Sequence, residues 1–273
     1  MRRPYEDPLR LLAEYDERAL RTAHVGVLLP WANVAVETEL PRFGLRHVVF
    51  HFARLVPASR TTAVDDAFWH GLREAASPAM ESLSHIPLDG VLLACTSAGF
   101  TSDTPLPTGV VTAFDVLRES LRLLGAERVA LSAPYPKDVT RAEADALGRA
   151  GVEVTEWSAL DLEDGYPSVT PDQIRSVVRA IPPEGLKVAQ ALVLSCTGWH
   201  TQELLGEIQA VLDKPVVSSN VAMALYAARL ATGVRHDGRH APEAHPATEH
   251  THPPVGPARR RAAGGQTGGR GEP

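Results

Sequence analysis

The chain's two cysteines, Cys95 and Cys196, each close an apolar run in nearly the same words, VLLACTSAGF and LVLSCTGWHT, 101 residues apart. A free thiol has a pKa of about 8.5, which oriented amides or a helix N-terminus lower. The thiolate is a good nucleophile toward an activated double bond and a serviceable base beside a carbonyl. Two such thiols facing one cleft would give paired acid–base or nucleophilic chemistry without a cofactor. The small residues after each cysteine, Gly198 among them, would let backbone N–H groups point into that cleft. Donors of this kind bind a carboxylate and stabilise an enolate-like anion. Thr96, Ser97 and Thr197 would add hydroxyls, while Asn33 and Tyr135 are candidates to fix a second carboxylate.

Each of these residues also has a plainer reading. A lone strand cysteine is usually just a small buried hydrophobe, although two Cys-Thr strand ends in repeat-related positions weigh against that. Asn33 could be a turn residue or helix cap, Tyr135 a structural ring, and Trp31 a pocket wall or a hydrophobic cover. Glu37 and Glu39 read as first-turn acids favoured by the helix dipole rather than as catalysts. His200, four residues past Cys196, should already be entering a helix, which disfavours a Cys-His hydrolase. Neither the dinucleotide nor the mononucleotide glycine-rich phosphate loop occurs.

The elements that must position the cysteines are legible as apolar runs at Val25–Pro30, His47–Leu55, Gly90–Cys95, Arg128–Pro134, Val152–Trp157, Ala191–Cys196 and Pro215–Ser219. Several are continuous rather than alternating, as in strands covered on both faces. Helical stretches are expected at 34–41, 65–84, 111–124, 138–150, 171–181, 201–212 and 220–232, with a short amphipathic helix over 8–21. Strand–helix alternation implies parallel βαβ units in an α/β fold. Gly125 and Gly151 punctuate two helix ends, and Thr170-Pro171 caps a helix start. GVLLPWANVAVE from Gly26 parallels VALSAPYPKDVT from Val129, with Pro30 and Pro134 104 residues apart. Two matches in the same order suggest two similar lobes, each a flavodoxin-like parallel sheet, with the cleft between them. Ligands of such sheets bind outside the carboxyl ends of the strands.

The expected organisation is a helical extension over 1–23, a first lobe over 24–125 completed by helix 220–233, and a second lobe over 126–219. Residues 235–273, rich in His, Pro, Gly and Arg, bury too little apolar surface to offset ordering entropy and should be disordered. The five histidines there, His236 to His252, read as a solvated tail rather than a metal site. A net charge of −6 argues against a nucleic-acid partner. No apolar run reaches the about 18 residues of a membrane span, and the acidic N-terminal stretch is not a signal peptide. Two unpaired thiols then suggest the cytoplasm. A homo-oligomer is possible, though no residue specifies its symmetry.

Together, GVLLPWANVAVETELPRF, ACTSAGF, APYPKDVT, SCTGWHT and KPVVSSNVAMALYAARLATG resemble the maleate cis-trans isomerase family of the aspartate/glutamate racemase superfamily, to which arylmalonate decarboxylases also belong. The likeness spans about residues 24–233. It implies a racemase-like fold without a cofactor, a nucleophilic Cys95 and an acid–base Cys196. It further implies substrate-carboxylate contacts from Asn33, Tyr135 and the groups after each cysteine. The implied reaction is thiolate addition to a small dicarboxylate, bond rotation and elimination, maleate to fumarate or a close analogue. Racemisation of an amino acid, decarboxylation of an arylmalonate and non-catalytic binding of a small ligand are the other readings. This chain departs from the isomerase pattern at Trp31-Ala32 and in DLEDGYPS, where Asp164 or Gly165 takes a place that isomerases tend to give to Asn.

Overall fold

The computed structural model describes residues 7–101 and 106–233. The tail expected to be disordered lies outside the described residues, as do its histidines.

Among the described residues, eight parallel strands form two four-stranded sheets. The first holds β1 (Ala23–Pro30), β2 (Val48–Leu55), β3 (Gly90–Leu93) and β4 (Val110–Thr112), in the order β2-β1-β3-β4. The second holds β5 (Arg128–Ala133), β6 (Glu153–Ala159), β7 (Ala191–Leu194) and β8 (Val216–Ser218), in the order β6-β5-β7-β8. The two orders are the same once β5 is set against β1, so the repeat seen in the strand ends extends to the whole topology. Both follow the doubly wound order in which the chain reverses direction beside the first strand of the sheet. The fold is the α/β architecture with two parallel sheets that the strand–helix alternation implied.

Helices α1 (Pro8–Glu17), α2 (Ala35–Arg42), α3 (Asp66–Glu81) and α4 (Ala113–Leu124) accompany the first sheet in sequence. Helices α5 (Lys137–Arg149), α6 (Pro171–Arg179), α7 (Pro183–Val188), α8 (Leu205–Leu212) and α9 (Ser219–Ala231) accompany the second. Central-strand residues such as Leu28, Leu92, Leu131 and Leu192 have no solvent exposure. Burying a side chain of that size contributes about 1.5–3 kcal/mol, so the two strand sets anchor the fold. The chain leaves β8 and returns as α9 to pack on α1, α4 and β1. All but one of the residues of α9 are buried, which explains its mainly small and apolar sequence. None of the helices among the described residues is long and apolar enough to cross a membrane.

The element boundaries required several corrections. The expected helix over 111–124 begins as β4, because Thr112 caps α4 through a reciprocal pair with Asp115 and so ends the strand. A three-residue strand is too short for periodicity to reveal. The two-turn α7 was missed for the same reason. The stretch 201–212 opens with a 3₁₀ turn, and His200 lies before it rather than inside a helix. Helix α1 stops at Glu17 instead of 21. Most important for the site, β3 and β7 end at Leu93 and Leu194, two residues before each cysteine. Both thiols therefore sit on the turns beyond the strands.

Candidate active site

A cavity of about 240 Å³ lies outside the carboxyl ends of the strands. Its lining includes all eight residues singled out from the sequence: Asn33, Cys95, Thr96, Ser97, Tyr135, Cys196, Thr197 and Gly198. The parallel strands β1, β3, β5 and β7 all point their C-terminal ends at this space. Two sheets of the same order thus bring together residues more than a hundred positions apart.

The surroundings of the two thiols differ. After β3 the chain enters a 3₁₀ turn at Ser97–Gly99. There the backbone N–H groups of Ser97 and Ala98 face Cys95, and the Ser97 hydroxyl lies 3.4 Å from its sulfur. Arg73 on α3 donates to the Ala98 carbonyl at 3.0 Å and places a positive charge near the same thiol. Burial pushes the Cys95 pKa up, while the hydroxyl, the amides and Arg73 oppose that rise. Cys95 is the better placed of the two to be held as a thiolate.

Cys196 has fewer donors. The Gly198 N–H donates to its sulfur at 3.2 Å, and the Tyr135 hydroxyl interacts with it. Burial dominates and pushes its pKa up to about 12. This thiol keeps its proton at neutral pH. Its backbone has a φ of 101°, a region that costs a side-chain-bearing residue about 1–3 kcal/mol and persists only where surrounding contacts hold it. Here the Ser219 hydroxyl accepts from the Cys196 N–H at 3.2 Å. At Gly198, a Cβ would lie 3.4 Å from the Cys196 sulfur and from Tyr166 Cβ, so the turn packs closely against both.

The hydroxyls expected to serve a ligand are largely committed within the protein. Thr197 donates to the Ala94 carbonyl at 2.7 Å, and Thr96 donates to Ser219 at 2.9 Å. Asn33 donates to Thr197 at 3.0 Å, and its carbonyl oxygen accepts from the Val36 N–H at 3.2 Å. Asn33 thus accepts from the first turn of α2 and also lines the cavity. Ser97 accepts from the Trp69 indole at 3.0 Å, which leaves its own hydrogen for the thiol or a ligand. Thr96, Thr197 and Ser219 together lock the two cysteine turns to each other.

Several residues of the site were not singled out in the sequence. Arg73 had a signal: it follows Trp69 and Leu72 on the buried stripe of α3, where an arginine is out of place without a partner. Ser219 and Asn220, at the start of α9, had none. Glu39 needs a correction, because it is not a first-turn acid placed for the helix dipole. It is 2% exposed and accepts from the Thr201 and Gln202 N–H groups at 2.5 and 2.7 Å and from Asn220 at 2.6 Å. Burial raises its pKa while these donors hold it down. Glu37 instead pairs with Arg54. A second buried acid, Glu143 on α5, accepts from the Ser195 hydroxyl at 2.5 Å. Burial pushes its pKa to about 8, so it is mostly protonated at neutral pH.

The wall between thiols and mouth is mainly apolar, formed by Pro30, Val64, Phe68, Tyr166 and Pro167. Tyr166 meets Tyr135 edge to face, with centroids 5.6 Å apart. Trp31 stands beside the entrance as a support: its indole donates to the Thr61 carbonyl at 3.1 Å, and Arg54 donates to its own carbonyl at 3.0 Å. Among the described residues, no group of three or more His, Cys, Asp or Glu is arranged to hold a metal ion.

The family model described as arylmalonate decarboxylase matches residues 96–243. The chain is 24% identical over 222 residues to the maleate isomerase of Pseudomonas putida, covering 72% of this chain and 87% of that one. It is 27% identical over 191 residues to the maleate isomerase of Nocardia farcinica, covering 63% and 75%. Its fold is similar to that of a cysteine-to-serine mutant of the Nocardia farcinica maleate cis-trans isomerase with a covalently bound succinylcysteine intermediate. That match has a TM-score of 0.67 at 22% identity, over 77% of this chain and 92% of the other. A liganded double mutant of arylmalonate decarboxylase gives a TM-score of 0.63 at 25% identity, over 78% and 94%. From the matching family model, the repeated sheet order and the paired cysteine turns, the chain belongs to the maleate isomerase and arylmalonate decarboxylase family of the Asp/Glu racemase superfamily.

Proposed function

We propose that this protein is a cofactor-independent isomerase that interconverts the cis and trans forms of a small unsaturated dicarboxylate, maleate or a close analogue. The observation that carries this reading is the unlike pair of thiols in one cavity. Cys95 has a cation, two amides and a hydroxyl to favour its thiolate, whereas Cys196 has a pKa of about 12 and holds a proton to give.

In the proposed reaction the Cys95 thiolate forms a bond to one alkene carbon. The π pair moves to the neighbouring carbon and into its carboxylate, an enediolate that the turn amides stabilise. Cys196 then gives its proton to that carbon, and the former double bond is single and free to rotate. Cys196 takes a proton back, the alkene reforms in the trans geometry, and the Cys95 thiolate leaves. Atoms and charge balance with no second substrate. The succinylcysteine described for the Nocardia farcinica enzyme is the kind of adduct this route passes through.

A second reading is decarboxylation of an α-substituted malonate, favoured by the apolar wall and by the family model's own description. There the enediolate left by loss of CO₂ would be protonated by one thiol, and the substituent would lie against Phe68 and Pro167. Proton NMR of the reduced protein with maleate in deuterated buffer, beside Cys95→Ser, separates the two. Fumarate formed by the wild type alone supports the isomerase. An inert maleate sample together with CO₂ release from phenylmalonate replaces it with the decarboxylase.

A further inference from the structure

Among the described residues that line the cavity, Asp164 is the one acidic side chain. Arg, Lys and His are missing from the same lining among the described residues. Asp164 stands on the exposed loop between β6 and α6, just before Gly165, whose φ of 75° turns the chain back toward the cavity. Its Oδ2 accepts from the Thr62 hydroxyl at 2.9 Å, a contact that joins the loop after β2 to the loop after β6 across the mouth. The carbonyl of neighbouring Thr61 accepts from the Trp31 indole at 3.1 Å, which steadies the loop that donates to the carboxylate. Its Oδ1 has no described partner.

We infer that Asp164 selects the substrate at the mouth, favouring an end that donates a hydrogen bond, such as a primary amide, over a second carboxylate. The inner end of the ligand meets the donors of the cysteine turns and suits a carboxylate. The outer end meets an acceptor-only group, which a carboxylate cannot pair with and a like charge repels, whereas an amide N–H₂ fits it. The substrate class is then the monoamide of a cis-unsaturated dicarboxylic acid rather than the dianion. This deepens the isomerase reading and depends on it only for the reacting double bond, because the preference at the mouth is a property of binding.

The test uses wild type and Asp164→Asn with four compounds. Turnover of maleate and of maleamate, the monoamide of maleate, is followed by NMR. Binding of the saturated succinate and succinamate is followed by calorimetry. The expected result is a kcat/KM for maleamate about tenfold above that for maleate, carried by KM, with a matching preference for succinamate. In Asp164→Asn that ratio should fall to about one through a gain for the dianions. A wild type that prefers maleate and succinate, or a ratio that Asp164→Asn leaves unchanged, overturns the role of Asp164 while the isomerase stands. No turnover of either alkene, with succinamate still preferred and that preference lost in Asp164→Asn, overturns the isomerase and keeps the selection at the mouth. Failure of both saturated compounds to bind overturns the inference.

Discussion

Glu143 offers a quantitative test of how burial sets the charge of a side chain packed behind the Cys196 turn. Its carboxyl is fully buried on α5, with one oxygen on the Ser195 hydroxyl and the other without a hydrogen-bond partner. Burial raises its pKa from an ordinary 4.5 to about 8. A carboxylic acid whose folded pKa is raised contributes stability that is fully present below 4.5 and is lost as pH climbs toward 8. Within that window the slope is about 1.4 kcal/mol per pH unit. Between about pH 5 and 7.5, this one group should therefore cost the wild type on the order of 3 kcal/mol of folding stability. Glu143→Gln keeps the shape of the protonated acid and an acceptor for Ser195 but does not titrate. Urea unfolding of both proteins at the two pH values cancels the contributions of all other groups. The variant should be about as stable as wild type near pH 5 and more stable by about 3 kcal/mol near pH 7.5. An equal difference at both pH values would show that Glu143 is ionised in the folded protein, and the reasoning from its burial would fall. Because Ser195 precedes Cys196, the same variant should also shift the pH at which Cys196 reacts with a small alkylating reagent.

Under the isomerase reading, Cys95→Ala should lose all measurable turnover and Cys196→Ala should lose at least about 10³-fold, read by NMR. Full activity in Cys95→Ala would remove the nucleophile assignment. Arg73→Gln should slow alkylation of Cys95 by iodoacetamide at neutral pH by about tenfold, since it removes the cation near that thiol while Cys196 is untouched. An unchanged rate would mean that the amides and Ser97 alone set its reactivity. Alkylation of Cys196 in Cys95→Ser should climb steeply as pH rises toward its pKa of about 12, and a plateau near neutrality would contradict its burial. Glu39→Ala leaves the Thr201 and Gln202 amides without their acceptor and Asn220 with only the Thr197 carbonyl at 3.4 Å. It should cost about 3 kcal/mol or more in chemical denaturation, and a loss below about 1 kcal/mol would show that water replaces the carboxylate.

How the chain makes a two-sheet α/β fold was legible in its apolar runs, because a strand covered on both faces must be apolar throughout and must alternate with helices. The cysteine pair was legible too, since each follows a strand that ends the same way. Strand ends cluster in parallel sheets, so Pro30, Cys95, Tyr135 and Cys196 could be placed in one region before any contact was known. What required the tertiary structure was the difference between the thiols. Arg73 reaches Cys95 from α3, and Tyr135 reaches Cys196 from the turn after β5. Neither proximity follows from spacing along the chain. The same holds for Glu39, which is an unremarkable helix acid until the 201–202 loop and Asn220 fold onto it. It holds again for Thr96 and Thr197, whose hydroxyls are turned inward by Ser219 and the Ala94 carbonyl rather than toward a ligand. Periodicity records which residues are buried, because burial is averaged over many neighbours. The direction of a hydrogen bond or the position of one charge depends on a single neighbour, often a hundred residues away, and is decided only when the chain closes on itself.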